Sequence, residues 1–495
     1  MESAIPQIET VVMLMLENRS LDSVLGWLYE HDVPATVMPE GSGERFDGIP
    51  ADASNRAGAR TFRPMHGTGG LREPCRVPRW DPNEKYEHVV RQLFAGRDGH
   101  VAGPPWVAPA EMAGFACDYD AIYDDPSEVM GAYDADQLPV LYGLARRFAV
   151  SDRWFSSVPT QTNANRAFSI CGTSLGGVDN ADLRTYDTRT FFDALTGHRS
   201  WGVYWQWDGF QSGDPGPAGG CYTADVFPHV RDAVDRGDGV LAPYGAFLDA
   251  VRHGGDLPQF CYLEPFWGCG KGYPTGHDFA GVQGNDYHPP TFVGPAEHDL
   301  NVLYDALRGS RLWPHLLFII TFDEHGGTFD HVAPPRTVAP DEHVATPDGA
   351  PPFDFTTLGV RVPTILVSPY VAPGSVFRAP EESSYDFDHT SFIATILKWA
   401  GLDPGAAGLG ARVATAPTFE SVLVEDPHLE TEQLTVPAGY AAQGGGVGLH
   451  LGLELGDLDP TGLGVEVWRH LCEQSEGPAE FVWHLRHASG DTSQA

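Results

Sequence analysis

The segment Thr321-Phe322-Asp323-Glu324-His325-Gly326-Gly327-Thr328-Phe329-Asp330-His331 sets two adjacent carboxylates and a glycine pair directly after the most apolar run of the chain. Two acids at the mouth of a buried strand call for a cation to neutralise them, and the glycines let the backbone turn tightly. A second acidic segment is Glu17-Asn18-Arg19-Ser20, between an apolar run and a helix-like stretch. There Glu17 can ligate a metal and Asn18 can donate to a phosphoryl oxygen; capping of the next helix by Asn18 or Ser20 is the plainer use of such residues. The third segment, Val158-Pro159-Thr160-Gln161-Thr162-Asn163-Ala164-Asn165-Arg166, places a hydroxyl just before a helix-like stretch. A hydroxyl there becomes a nucleophile if a metal lowers its pKa and the helix N-terminus stabilises the arriving anion, although threonine caps helices far more often. Asn285-Asp286-Tyr287-His288-Pro289-Pro290 and Asp386-Phe387-Asp388-His389-Thr390 add histidines beside carboxylates, each suited to a general acid with an orienting partner.

The elements that must position these residues are legible as apolar runs. Residues 10–16, 316–322 and 362–367 read as strands buried on both faces, each ending in a polar turn. Helical patterns fall at 21–30, 139–148, 300–308 and 390–400. Alternating strands and helices predict an α/β fold with a mostly parallel central sheet and helices on both faces, whose ligands bind beyond the carboxyl ends of the strands, where Glu17 and Asp323 sit. Two Gly/Pro/Asp-rich stretches, about 35–110 and 205–290, read as insertions that line or cap the site. The expected division is a catalytic domain over 1–415 and an extension over 416–495, with a flexible connection at 441–448 and a final helix near 466–473.

The formal net charge is −36, from 67 acidic and 31 basic residues, which argues against nucleic acid as a partner. An anionic phosphate is still compatible with this charge if a bound cation inverts the local field. No apolar run is long enough for a membrane-spanning helix, and the first residues lack a basic n-region, so the sequence reads as soluble and cytoplasmic, or secreted if a leader precedes it. Seven cysteines without a CxxC pair suit a reducing compartment, with a Cys261–Cys269 disulfide as the alternative.

Six segments together resemble the phosphoesterase family of non-specific phospholipases C and acid phosphatase A enzymes, in the alkaline phosphatase superfamily. They are LENRSLDSVLG (16–26), MAGFACDY (112–119), VMGAYDADQLPVLYGLARRFAVSDRWFSSVPTQTNANRAF (129–168), LFIITFDEHGGTFDHVAPP (317–335), LGVRVPTILVSPYVAPGSV (358–376) and DHTSFIATIL (388–397). The resemblance implies an alkaline phosphatase-like fold in which Glu17, Asp323 and Glu324 hold a divalent metal and Asn18 touches the phosphoryl group. It implies that Thr162 is the nucleophile and a metal ligand, and that His288 and His389 bind phosphate or protonate the leaving group. His325 and His331 match recurrent histidines with a packing or supporting role open to them, and Asp286 and Asp388 flank the two catalytic histidines. The chain departs from the pattern where a D-P-x-H histidine is expected: it reads Asp81-Pro82-Asn83-Glu84, with His88 four residues later, so that histidine is replaced by Glu84 or displaced to His88. Ala164 also stands where the pattern has proline.

The implied reaction is a two-step hydrolysis through a phospho-threonine, on a phosphodiester such as a phosphatidylcholine-like lipid. A soluble phosphomonoester is the alternative substrate, and a binding protein that has lost catalysis on the same scaffold is the alternative class. The ligand types fit calcium, magnesium, manganese or zinc alike, and the sequence leaves the oligomeric state open.

Overall fold

A computed structural model of the chain describes residues 2–443, apart from 68–75, 97–100, 102–105, 107–109, 181–184, 207–220, 268, 272–279, 283, 348 and 430–431. Its core is a nine-stranded sheet. In chain order the strands are β1 (Thr10–Leu16), β2 (Thr36–Met38), β3 (Ala149–Ser151), β4 (Trp201–Trp205), β5 (Val240–Pro243), β6 (Phe260–Glu264), β7 (Leu316–Phe322), β8 (Thr364–Val367) and β9 (Ser375–Phe377). Across the sheet they run β2-β9-β3-β8-β7-β1-β6-β4-β5. Only β8 is antiparallel to its neighbours, β7 and β3, so the sheet is mostly parallel as expected.

The two central strands have the sequences TVVMLML and LLFIITF, and all fourteen residues are buried, as suits strands covered by helices on both faces. Their register pairs Thr10 with Leu316 and Leu16 with Phe322, so Glu17 and Asp323 leave the sheet side by side at the same end. The flanking helices that matter to the site are α1 (Leu21–Leu25), α2 (Tyr86–Phe94), α3 (Pro139–Arg147), α4 (Thr162–Cys171), α5 (Gly294–Arg308) and α6 (His389–Trp399). The helix expected over 21–30 stops after one turn and a half, and that expected over 300–308 begins six residues earlier, behind Pro295 at its N-terminus.

Two expected boundaries are corrected. Residues 205–290 are not simply an insertion, because they contain β5 and β6, and β6 pairs with β1 in the middle of the sheet. The short FCYLE run of β6 lies between polar, glycine-rich neighbours that hide it as a buried strand in the sequence. Nor does the domain end at 415: Leu434 lies against Gly143 of α3, and the Tyr440 hydroxyl donates to the Gln137 carbonyl at 2.7 Å. The connection and helix expected over 441–448 and 466–473 lie almost wholly outside the described residues. Cys261 is buried and free, so it forms no disulfide with Cys269. Among the described residues, no helix is long and apolar enough to cross a membrane.

Candidate active site

The loop after β1 is drawn over the loop after β7. Asn18 takes a left-handed conformation (φ 54°), its N–H donates to Asp323 Oδ1 at 3.0 Å, and Ser20 N–H donates to Thr328 Oγ1 at 3.0 Å. Ser20, not Asn18, caps α1, accepting from the Ser23 N–H at 3.1 Å. The glycine pair does what its position suggests. Gly326 and Gly327 have φ of 59° and 66°, and a Cβ on Gly326 would lie 2.2 Å from the Asn18 carbonyl oxygen. A Cβ on Gly327 would lie 2.6 Å from the Asn83 carbonyl oxygen, so the turn after Glu324 admits the Pro82-Asn83-Glu84 loop on its other side.

Thr162 is the first residue of α4, with Gln161 at the N-cap position, so it does not cap the helix. The turn ahead of it is stapled by Asn165, whose side chain accepts from Val158 N–H and donates to the carbonyls of Val158, Thr160 and Gln161. Thr162 is the one residue of α4 that is not buried. Its neighbours reach the acidic residues on both sides. The Gln161 side chain bonds the Glu84 carboxyl, and Arg166, one turn on and hence on the same helix face, donates to Glu17 Oε1 at 3.1 and 2.6 Å. Arg166 also lies 3.4 Å from Asp323 Oδ2 and stacks over the Trp267 ring at 4.5 Å.

Glu17, Asp323 and Glu324 are thus brought together beneath α4, almost fully buried. Burial, with Asp323 and Arg166 pulling in opposite directions, leaves the Glu17 carboxyl well above the usual carboxylate range. Burial and the nearby Glu84 and Asp323 do the same to Glu324. Asp323 Oδ2 and Glu324 Oε1 are buried without a hydrogen-bond partner. Such oxygens are costly unless a cation faces them; Arg166, 3.4 Å away, faces Asp323 Oδ2, and oxygen donors of this kind suit a hard divalent ion.

His288 comes to this group: its ring Nε2 lies 3.0 Å from Asn18 Nδ2, and its main-chain N–H donates to Asp286 Oδ1 at 3.2 Å. Burial alone would lower its pKa, but Asp81, Glu17, Asp286 and Glu84 outweigh that and hold it at about 9. A charged ring donates from both nitrogens, so it asks the Asn18 amide to turn its oxygen to Nε2.

Several expected roles do not match the observed contacts. His389 reaches the group, but its Nε2 donates to the Asp323 carbonyl at 2.5 Å and its ring is buried, so it holds the main chain of a candidate ligand. Asp388 does not orient His389; its carboxylate caps α6 and sits 3.4 Å from Arg412. His88 is turned to Asp118 at 2.9 Å, so it does not take the place of the expected histidine, and Glu84 is the residue that enters the site. His325, fully buried and lowered to about 3 by desolvation, bridges Gln92 at 2.8 Å and Glu324 at 3.2 Å. His331 joins a separate network with Asp22 at 2.7 Å and Asp47 at 3.3 Å. Among the described residues, Asp22, Asp330 and His331 form the one triad whose ligand atoms all lie within 4.8 Å. Arg361 already neutralises it, 3.0 Å from both Asp22 and Asp330, so it is a salt-bridge cluster rather than a metal centre. Sequence reading missed Arg166 and Gln161, whose only signal was their place in the Thr162 segment.

These features define an α/β protein with a buried acidic site at the carboxyl ends of its central strands. The phosphoesterase family model matches residues 8–403, and the chain belongs to that family; it is a phosphoric ester hydrolase. It is 31% identical over 438 residues to non-specific phospholipase C6 of Arabidopsis thaliana, covering 87% of this chain and 74% of that one. Phospholipase C B of Mycobacterium tuberculosis is 26% identical over 428 residues, covering 79% and 72%. Among solved structures, a protein of the alkaline phosphatase superfamily from Vibrio parahaemolyticus superposes with a TM-score of 0.30 at 12% identity, over 57% of this chain and 64% of that one.

Proposed function

We propose that the chain is a phospholipase C-type phosphodiesterase that depends on a divalent cation and uses Thr162 as its nucleophile. The observation that carries this reading is a non-capping, part-exposed threonine at the start of α4 whose helix neighbours Gln161 and Arg166 contact the buried acids Glu84, Glu17 and Asp323. The names of the relatives, non-specific phospholipase C and phospholipase C B, support a diester substrate. A zwitterionic headgroup such as phosphocholine suits a chain of net charge −36 better than an anionic bilayer does.

A divalent ion held by Glu17, Asp323 and Glu324 would supply positive charge opposite the phosphoryl oxygens and favour ionisation of the attacking hydroxyl. Thr162 Oγ1 gives up its proton to solvent and bonds to phosphorus while the P–O bond to the lipid alcohol breaks, and His288 gives the leaving oxygen its proton. The amino end of α4 and the Asn18 amide face the charge on the non-bridging oxygens, where stabilisation of phosphoryl transfer is concentrated. Water then adds to phosphorus and gives a proton to His288, the bond to Thr162 breaks, Thr162 Oγ1 takes a proton from solvent, and the phosphorylated headgroup departs.

The test is release of nitrophenol from p-nitrophenylphosphorylcholine and from p-nitrophenyl phosphate, with and without chelator, beside Thr162→Ala. The expected result is chelator-sensitive cleavage of the diester that falls by about a thousandfold or more in Thr162→Ala, with an unchanged melting temperature. Cleavage of the monoester alone would replace the diesterase reading with a phosphatase one. Near wild-type turnover by Thr162→Ala would refute the nucleophile.

A further inference from the structure

The loop that carries His288 turns on a strained residue. Tyr287, one position before it, has a φ of 70°, in the left-handed region that a bulky side chain rarely occupies. Asn18, which the His288 ring meets at 3.0 Å, is left-handed too, with a φ of 54°. The two loops are joined along the main chain, where the Glu17 N–H donates to the Asp286 carbonyl at 2.8 Å. A residue keeps such a conformation only when its surroundings over-determine it. Three contacts do so at Tyr287: its carbonyl accepts from Arg19 Nε at 2.7 Å, its ring packs edge-on against Phe322 of β7 with 5.5 Å between centroids, and its hydroxyl donates to Glu297 Oε1 at 2.6 Å.

Glu297 is itself fixed independently of this loop. It is fully buried in α5 and accepts the Val140 and Leu141 N–H groups at 2.6 and 3.2 Å, which caps α3 where its N-cap residue Leu138 makes no side-chain bond. The Tyr287 hydroxyl thus ties the loop to the framework of α3 and α5. On the far side of His288, the Thr291 N–H donates back to the His288 carbonyl at 2.9 Å. The φ and ψ of Tyr287 set the direction in which His288 leaves the turn, so relaxation to an ordinary φ would swing the imidazole away from Asn18. Resting on the reading of His288 as the acid of the leaving group, we propose that Tyr287 and Glu297 are positioning residues for it: their hydrogen bond holds the left-handed turn that keeps the imidazole at the site.

The experiment is initial-rate kinetics of the full chain on pairs of esters that share a phosphoryl group and differ in the leaving alcohol. The pairs are p-nitrophenylphosphorylcholine with dihexanoylphosphatidylcholine, and p-nitrophenyl phosphate with glycerol phosphate. A nitrophenolate leaves without help, whereas an alkyl alcohol needs a proton as its bond breaks. His288→Gln is the reference and should lower kcat/KM on the alkyl esters about a hundredfold or more, with a much smaller loss on the nitrophenyl esters. Tyr287→Phe removes one oxygen and leaves Glu297 its two main-chain donors. It should lower kcat on the alkyl esters about tenfold with KM unchanged, and alter the nitrophenyl esters by less than about twofold, which also shows that the fold is intact. Equal losses on both kinds of ester in Tyr287→Phe, or no loss on either, would overturn the positioning role and leave His288 as the acid. Absence of leaving-group discrimination in His288→Gln would overturn that reading and the inference with it.

Discussion

The His331 cluster allows a stability prediction independent of catalysis. His331 contacts Asp22 and Asp47, beside Arg361, with its side chain 16% exposed. Burial alone would lower its pKa, but the hydrogen bonds to Asp22 and Asp47 outweigh it and raise the value to about 9 from an ordinary 6.5. At about 1.36 kcal/mol per pH unit, that difference is worth about 3 kcal/mol of folding stability. Because the folded-state value is the higher one, the contribution is complete below pH 6.5 and is lost as the pH rises through about 9. His331→Gln keeps a polar side chain of similar reach and removes the titration. The assay is chemical denaturation of both proteins at pH 6, 7.5 and 9.5 in the presence of chelator. Between pH 6 and 9.5 wild type should lose about 3 kcal/mol more than His331→Gln, since groups common to both cancel in the difference. Parallel pH profiles would refute the reasoning, and a large effect of divalent ions on that difference would refute the salt-bridge assignment.

Two further substitutions probe how the site is held. Gly327→Ala places a Cβ within 2.6 Å of the Asn83 carbonyl at a φ of 66°; overpacking and left-handed strain together should cost about 2–4 kcal/mol in denaturation, with loss of phosphoesterase activity. Arg166→Met keeps the stem packed near Trp267 but strips the buried pair from Glu17; it should destabilise the metal-free protein by about 3–5 kcal/mol, a deficit that saturating divalent ion reduces. Equal deficits with and without the ion would show that Arg166 and the cation do not share these carboxylates.

By itself the sequence determined the central strands and the polar turns at their ends. The runs TVVMLML and LLFIITF are apolar enough to be buried on both faces, and Glu17, Asp323 and the Gly326-Gly327 turn can only lie at their ends. Local pattern also sufficed for α3 and α6, which begin within a residue of the sequence expectation, whereas α4 begins at Thr162 itself and not after it. The FCYLE strand was not legible, because a five-residue run in a polar setting acquires its meaning only from pairing with β1. Side-chain partners were less legible still. His331 and Glu324 are seven positions apart, yet the first is claimed by Asp22 and Arg361 and the second lies with Glu17 and Asp323, while His88 is taken by Asp118 and Glu84 enters the site. Spacing along the chain fixes the type of group at a strand end; which charge meets which is decided by the register of strands some 300 residues apart and by loops that meet only where a glycine leaves room.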